Sequence, residues 1–283
     1  MTLSIKDRLF VTSQYLVPHH ALSRLIGTLA ESEWNPLKRR FIKLFAHRFQ
    51  VNMDEAQRPS FDDYRNFNDF FTRALTAEAR PFPDDSHTLC SPVDGSVSQA
   101  GAITDGRIIQ AKNQSFTVTE LLGGDAEQAR RYTNGEFATL YLSPRDYHRI
   151  HMPCSGTLVR TTFIPGRLFS VNGTTAEAVP RLFARNERLV CEFETDRGRM
   201  VMVLVGAMIV ASIETTWSGV VAPVTRQIQH LNYNHPTLRF TRGEEMGRFR
   251  LGSTVVMLFE RNALNWSGSI APGNQIKLGQ PLE

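Results

Sequence analysis

The segment that most constrains the fold is residues 80–85, which read Arg-Pro-Phe-Pro-Asp-Asp. Two prolines this close together exclude the segment from a helix interior and from a central strand. Before it, apolar residues recur at helical spacing. After residue 88, short runs rich in β-branched and aromatic residues alternate with turn residues. Helices at one end of a chain and strands at the other are typical of α+β folds with mostly antiparallel sheets. We therefore predict a helical region over residues 1–80 and a β-rich domain over residues 88–283.

The helical region is predicted to contain amphipathic helices, and the clearest covers residues 37–49. One side of that helix carries Leu37, Phe41, Leu44, Phe45 and Phe49, and the other carries Arg39, Arg40, Lys43 and His47. An apolar stripe beside a cationic face suits a helix that lies in a membrane interface. Packing of the stripe on the protein core is the alternative. A further helix is predicted to begin at Asn66, with Asp69 in a cap-like arrangement.

The basic charge of the chain lies at its N-terminus. The net charge is +4, but residues 1–50 alone carry eight Lys and Arg against three Asp and Glu, so the remaining residues carry 24 against 25. This asymmetry points to an anionic partner. Because the charges accompany a wide apolar stripe, and the aromatic residues lie on that stripe and not at stacking positions among the charges, we expect an anionic membrane surface and no nucleic acid. The longest apolar run, residues 200–211, is shorter than the roughly 20 residues of a membrane span. No secretory signal is seen.

Two histidines could carry chemistry. His148 and His151 lie between Pro144 and Pro153, which argue against a long helix. On a strand, residues three apart point to opposite faces, which weakens metal chelation. General acid or base chemistry is at least as natural, and two packed structural histidines are the third reading. Asp94 lies in an Asp-Gly pair that is typical of a turn. It gains interest only if a histidine needs a carboxylate to fix its tautomer.

A Gly-Ser pair, Gly252 and Ser253, precedes a strand-like run. A serine hydroxyl can attack the preceding carbonyl where the backbone is strained and a base removes the proton. The resulting acyl shift places an ester in the chain. β-Elimination then breaks the chain and can leave a pyruvoyl group at the new N-terminus.

Several motifs together resemble the bacterial phosphatidylserine decarboxylases, and they follow in that family's order and spacing along nearly the whole chain. They are PVDG at residues 92–95, YHRIHMP at 147–153, PGRLFSVN at 165–172, LFARNER at 182–188 and LGST at 251–254.

The resemblance implies roles for individual residues. Ser253 would be the self-cleaving nucleophile, giving a large chain of residues 1–252 that ends at Gly252 and a small chain of residues 253–283. Its remnant would be the covalent pyruvoyl cofactor, and no metal would be needed. His151 would be the general base, and Asp94 would orient it in a triad used once. His148 would act in decarboxylation.

The resemblance also implies a function. Phosphatidylserine would be converted to phosphatidylethanolamine through Schiff-base chemistry by a peripheral protein on the cytoplasmic face of the cell membrane, with a homodimer left open. Phe169 is a candidate contact for the lipid, with core packing as an equal alternative. Two other functions remain. One is a metal-dependent hydrolase that uses His148, His151 and Asp94. The other is a non-enzymatic membrane-binding or nucleic-acid-binding module. Both predict an intact chain.

Overall fold

A computed structural model describes residues 4–208, 212–221, 226–233, 238–250 and 253–283. The predicted cleavage-site residue Gly252 lies outside the described residues, as do the last three residues of the apolar run 200–211. The helices are α1 (Ile5–Leu16), α2 (His19–Ala30), α3 (Asn35–Phe49), α4 (Phe67–Phe71), α5 (Val118–Leu121), α6 (Ala126–Arg130), α7 (Gly173–Ala178) and α8 (Leu182–Arg185). The strands are β1 (Gly95–Ala102), β2 (Arg107–Ala111), β3 (Gln114–Thr117), β4 (Glu136–Leu142), β5 (Arg149–His151), β6 (Gly156–Ile164), β7 (Arg188–Thr195), β8 (Gly198–Val205), β9 (Ile213–Thr215), β10 (Gly219–Val220), β11 (Gln229–Asn232), β12 (Arg239–Phe240), β13 (Glu245–Phe249), β14 (Ser253–Phe259) and β15 (Gln275–Ile276).

Two of the N-terminal helices, α1 and α4, begin at residues whose side chains cap them. Ser4 and Asp7 form a capping box that satisfies backbone N–H groups at the start of α1. The predicted helix after Asn66 is confirmed as α4, where the Asn66 side chain accepts the Asp69 N–H at 2.9 Å. Among the described residues, none of the helices has both the length and the apolarity to cross a bilayer.

The strands form one large sheet and two smaller ones. The order in the large sheet is β11-β6-β7-β8-β14-β4-β1-β15, with β12 also paired to β6, and the pairings between its strands are antiparallel. A second sheet has the order β10-β9-β13-β5, and β2 pairs with β3. The predicted α+β class with mostly antiparallel strands is confirmed. The boundary between residues 80 and 88 stays a prediction.

The large sheet is buried on both faces because alternate residues of its central strands belong to different apolar clusters. Val256 and Leu258 of β14 pack in the cluster that contains residues of α1 to α4. Val255 and Met257 of the same strand pack in the cluster that contains Ile150 and other residues of the second sheet. The large sheet is therefore a middle layer, with the N-terminal helices on one face and the second sheet on the other.

The chain passes between the two sheets next to the predicted cleavage site. Strand β13 ends at Phe249 in the second sheet, and β14 begins at Ser253 in the large sheet. The Phe249 N–H donates to the His148 carbonyl at 3.0 Å, and Arg250 N–H donates to the Ser212 carbonyl at 3.0 Å. The chain is thus held by two backbone hydrogen bonds immediately before residues 251 and 252, and by strand pairing from Ser253 onward.

Candidate active site

Ser253 is the first residue of β14 and pairs with Leu142 at the end of β4. Its side chain is fully buried, and its Oγ has no hydrogen-bond partner among the described residues. A buried hydroxyl without a partner costs free energy. Such groups are rare in native structures, and a role as a nucleophile would explain the one on Ser253.

Ser253 also lines an apolar cavity of about 660 Å³ between the N-terminal helices and the large sheet. The stripe predicted on α3 contributes Leu37, Phe41, Leu44, Phe45 and Phe49. The other lining residues are Ile26, Leu29, Arg40, Phe67, Phe71, Tyr141, Leu142, Pro144, Ser170, Val171, Ala207 and Met208. The cavity is large and apolar enough to take part of a lipid molecule, because ligand sites of about 300–1,000 Å³ are typical.

His148 is fully buried, and its ring lies 4.0 Å from the ring of Phe71, centroid to centroid. Its Nδ1 lies 2.8 Å from the Asp146 carbonyl oxygen. A carbonyl can only accept, so Nδ1 carries the hydrogen and Nε2 carries a lone pair. Nε2 has no partner among the described residues. Burial lowers the pKa of His148 to about 3, with a smaller contribution from Arg73, whereas the bond to Asp146 opposes this change.

His151 is held in the same tautomer by different groups. Its Nδ1 donates to the Gly243 carbonyl oxygen at 2.7 Å, and its Nε2 accepts from the Tyr147 hydroxyl at 3.0 Å. Burial lowers the pKa of His151, and the bond to Gly243 partly offsets this effect. His151 is therefore a neutral imidazole at neutral pH, with its lone pair on Nε2.

The carboxylate of Asp94 is bound mainly by Arg80. Arg80 Nε donates to Asp94 Oδ1 at 2.8 Å, and Arg80 Nη2 lies 2.5 Å from Oδ2. The Leu278 N–H also donates to Oδ1, at 2.8 Å. The negative charge of Asp94 acts on His151 through space, and it favours the protonated imidazole. The orienting role of Asp94 toward His151 stays a prediction, because the Gly243 carbonyl occupies the nitrogen that a triad carboxylate would bind.

A polar cavity of about 340 Å³ lies beside Asp94. Arg80, Asp94 and Tyr147 line it, together with Arg73, Arg145 and Asp146. Pro144 lines the apolar cavity, and the next three residues line the polar one. The segment 144–147 therefore lies between the two cavities.

Phe169 lies in the core, and its predicted contact with the lipid stays a prediction. Its ring is 1% exposed and packs 5.0 Å from the rings of Tyr15 and His19. The next two residues, Ser170 and Val171, line the apolar cavity instead. They were missed because a loop carries no periodic pattern that marks its lining residues.

The geometry of the two histidines does not suit joint metal binding. The bonded ring nitrogens are directed to separate partners, and Nε2 of His148 is buried without a hydrogen-bond partner among the described residues. In the part of the chain that the structure describes, His, Cys, Asp and Glu form no group of three or more suited to a metal ion. Metal-dependent hydrolysis by His148, His151 and Asp94 therefore has little geometric support.

Comparison with known proteins decides the family. Residues 67–282 match the family model described as phosphatidylserine decarboxylase, and residues 9–50 match a further model named PSD. The chain belongs to the phosphatidylserine decarboxylase family. The resemblance drawn from the sequence motifs is therefore confirmed, and with it the assignment to a family of carbon-carbon lyases.

Full-length relatives agree with the family match. The chain is 55% identical over 280 residues to the phosphatidylserine decarboxylase proenzyme of Hahella chejuensis, covering 99% of this chain and 95% of that protein. It is 55% identical over 276 residues to the proenzyme of the same name from Marinobacter nauticus, covering 97% of this chain and 96% of the relative. A third, from Azotobacter vinelandii, is 54% identical over 281 residues, covering 98% of each chain.

Proposed function

We propose that this chain decarboxylates phosphatidylserine to phosphatidylethanolamine with a pyruvoyl group that it makes by cleaving itself between Gly252 and Ser253. The observation that carries the proposal is Ser253 itself, a buried serine with an unpartnered hydroxyl on the wall of an apolar cavity. Membership of the family and the proenzyme names of the relatives support it. The two products would be a large chain of residues 1–252 and a small chain of residues 253–283.

In the self-cleavage step, Ser253 Oγ attacks the carbonyl carbon of Gly252 while its proton passes to a base. His151 is the candidate base, because its Nε2 carries a lone pair and Nδ1 is fixed on Gly243. The Tyr147 hydroxyl must leave Nε2 first, since the two share a hydrogen bond. The acyl shift forms an ester. Loss of the Cα proton of residue 253 then releases the Gly252 carboxylate, and water replaces the amine of the dehydroalanine, with loss of ammonia.

The surroundings of Ser253 fit the prosthetic group. Conversion of Ser253 breaks no side-chain hydrogen bond to a described residue, and the position is fully buried. Once formed, the pyruvoyl group supplies a ketone that takes up the substrate amine and withdraws the electron pair left by carbon dioxide. His148 Nε2, with its lone pair, can accept the proton that the substrate ammonium must lose. The same nitrogen can return that proton to the carbon that has lost carbon dioxide.

The cavity and the N-terminal helices support a lipid substrate taken from a membrane surface. The apolar lining suits acyl chains, and α1 to α3 expose many large apolar side chains. These include Ile5, Leu9, Phe10, Tyr15, Leu16, Leu25, Leu29 and Leu44, with Trp34 between α2 and α3. Arg40 and Lys43 of α3 lie beside exposed Leu44. Apolar insertion together with attraction to anionic lipid gives reversible binding without a span. A peripheral position on the cytoplasmic leaflet follows from this proposal.

Gel electrophoresis and intact-mass measurement test the proposed chemistry. The wild-type protein should give two chains that divide after residue 252, and the smaller should carry a ketone at its N-terminus. Ser253→Ala should stay intact. His151→Ala should block cleavage, whereas His148→Ala should cleave but release little carbon dioxide. His87→Ala, an exposed histidine outside α1 to α3, is the control and should do both normally. An active wild-type preparation of one intact 32.0 kDa chain would refute the proposal.

Vesicle sedimentation tests the membrane surface separately. Ser253→Ala protein should bind vesicles that contain about one third phosphatidylglycerol, and the binding should weaken as salt rises. Changing Lys43 to Gln should weaken it further, whereas changing the exposed Lys112 to Gln should not. Equal binding to vesicles of neutral phosphatidylcholine would contradict the charge argument.

A further inference from the structure

We propose that Arg73 is a positioning residue for decarboxylation, and that the last residue of α4 together with the two that follow it, Phe71, Thr72 and Arg73, forms a seat that holds His148 in its working orientation. The inference rests on the proposed role of His148. It adds residues to which the sequence motifs assign no role.

Two hydrogen bonds join the seat to the chain, one before His148 and one after it. Arg73 Nη2 donates to the Arg145 carbonyl oxygen at 3.0 Å, three residues before His148. Arg149 Nε donates to the Thr72 carbonyl oxygen at 2.9 Å, immediately after it. Two consecutive residues of the seat therefore fix both ends of the segment 145–149. Because the donors are guanidinium groups, each bond is stronger than one between neutral groups.

The ring of His148 is fixed as well as its backbone. The Phe71 ring packs 4.0 Å from it, and the Asp146 carbonyl holds Nδ1. Asp146 is itself anchored, because its carboxylate accepts the Ser143 N–H at 2.6 Å and the Ser143 hydroxyl at 2.7 Å. The lone pair on Nε2 thus points in one direction. Catalytic geometry depends on such fixed orientation, and displacement by about 1 Å can cost roughly 100-fold in rate.

Burial of the Arg73 guanidinium costs free energy of desolvation, which argues for a role beyond packing. It is only 3% exposed, and its Nε has no hydrogen-bond partner among the described residues. Burial lowers the pKa of Arg73, whereas the charges of Asp94, Asp146 and Glu55 oppose this effect. A buried cation with an incomplete set of acceptors destabilises a fold, so Arg73 is better explained by a role in the site than by stability.

The seat also lies between the two cavities. Phe71 lines the apolar cavity that contains Ser253, whereas Arg73 lines the polar cavity that contains Asp94. Arg73 therefore places a positive charge behind His148, on the side away from the lipid. From the residues after α4, the charge that acts on His148 is that of Arg73. From its own segment, the Asp146 carbonyl accepts from Nδ1, and the Phe249 N–H of β13 donates to the backbone carbonyl of His148 and not to its ring. The positive charge disfavours protonation of His148 and so keeps the lone pair on Nε2 available.

Two variants separate positioning from charge. Arg73→Lys keeps the cation but loses the planar fork that reaches Arg145, and Arg73→Gln loses both. Both should cleave themselves at close to the wild-type rate, because Nδ1 of His151 is fixed by the Gly243 carbonyl, which lies outside the segment that the seat holds. The mature variants should lose kcat by about 10- to 100-fold with KM within about twofold, the range expected for a misplaced catalytic group. The acid limb of kcat against pH should move to higher pH in Arg73→Gln and stay in place in Arg73→Lys. Arg65→Gln, an exposed arginine near α4, is the matched control.

A readout independent of turnover is nitrogen NMR of ¹⁵N-histidine-labelled Ser253→Ala protein. His148 should show a protonated Nδ1 and a bare Nε2, and adding Arg73→Gln should raise the pH at which His148 titrates. If Arg73→Gln slows self-cleavage as much as decarboxylation, or leaves kcat and the His148 titration unchanged, the inference is wrong. If Arg73→Gln does not fold, the kcat of Arg73→Lys decides. Failure of the wild type to cleave would instead refute the proposed function.

Discussion

The buried pair of Arg80 and Asp94 yields a quantitative prediction. Both side chains are 9% exposed. Arg80 also donates to Glu55 at 2.8 Å and to the Ala79 carbonyl at 2.6 Å. Changing Arg80 to Met would leave Asp94 with the Leu278 N–H as its remaining partner among the contacts described above. Removing one partner of a buried ion pair costs about 3–5 kcal/mol. At roughly 2–4 °C per kcal/mol, we expect the melting temperature to fall by about 10 °C.

The assay is thermal unfolding in the Ser253→Ala background, so that every variant is one intact chain. Glu55→Gln is the matched control. It removes the other carboxylate that binds Arg80, but Glu55 is 29% exposed, so the loss should stay below about 1 kcal/mol. A fall of less than 2 °C in Arg80→Met would show that the pair contributes little to the fold.

The same pair is expected to matter for self-cleavage. Arg80→Ala, with Ser253 present, should cleave slowly because Asp94 is no longer held. Guanidinium at tens of millimolar should restore part of the rate, since Arg80 lines the polar cavity and removal of its side chain opens that cavity further. Potassium chloride at equal ionic strength should not. Normal cleavage by Arg80→Ala, or equal rescue by potassium chloride, would show that Arg80 does not position Asp94.

Three further predictions concern stability in the intact Ser253→Ala protein. Burial raises the pKa of Glu187 to about 7. The contribution of its neutral carboxyl group to folding stability is therefore complete below about pH 4.5 and is lost as pH rises through 7. Glu187→Gln should raise the melting temperature at pH 8 but not at pH 4. Burial lowers the pKa of His19. The contribution of its neutral imidazole to folding stability is therefore complete above about pH 6.5 and is lost on acidification. His19→Gln should make the melting temperature fall less steeply as the pH is lowered. Gly95→Ala should prevent folding, because φ is +155° and the added Cβ would lie 2.2 Å from the Tyr141 carbonyl oxygen. The control Gly173→Ala should be tolerated, because its Cβ has no neighbour within 4 Å. Equal expression of the two variants as folded protein would refute this prediction.

Elements with a strong period could be predicted from the sequence, and short ones could not. Strand β4 is one of the short strand-like runs predicted after residue 88, and the predicted helix over residues 37–49 is confirmed as α3. The sequence does not show which residues of the stripe are buried. In the structure, Phe41 and Phe45 pack on Phe67, whereas Leu44 is 65% exposed. Only the tertiary structure divides one stripe between core, cavity and surface. Helix α7 was missed despite the Asn172 cap at its start, because six residues carry too little periodicity.

The sequence motifs predict a set of site residues, whose roles stay predictions, and they do not predict the contacts that those residues make. The motifs marked Asp94, His148, His151 and Ser253. They gave no sign that a backbone carbonyl would hold His151 or that a linker arginine would hold Asp94. Gly243 lies 92 positions from His151, and Leu278 lies 184 from Asp94. Such pairs depend on the topology of the sheets, which local patterns do not contain.

The place of β14 in the large sheet has a consequence for how the enzyme can be made. The strand lies between β4 and β8, and all of its residues are buried. A peptide of residues 253–283 supplied separately would have to insert between two strands that would otherwise pair with each other or stay open. A continuous chain brings β14 to that position during folding. Under the proposed self-cleavage, the peptide bond before Ser253 would be needed for assembly and dispensable afterwards, so we expect co-expressed halves to reconstitute poorly while the cleaved protein stays together.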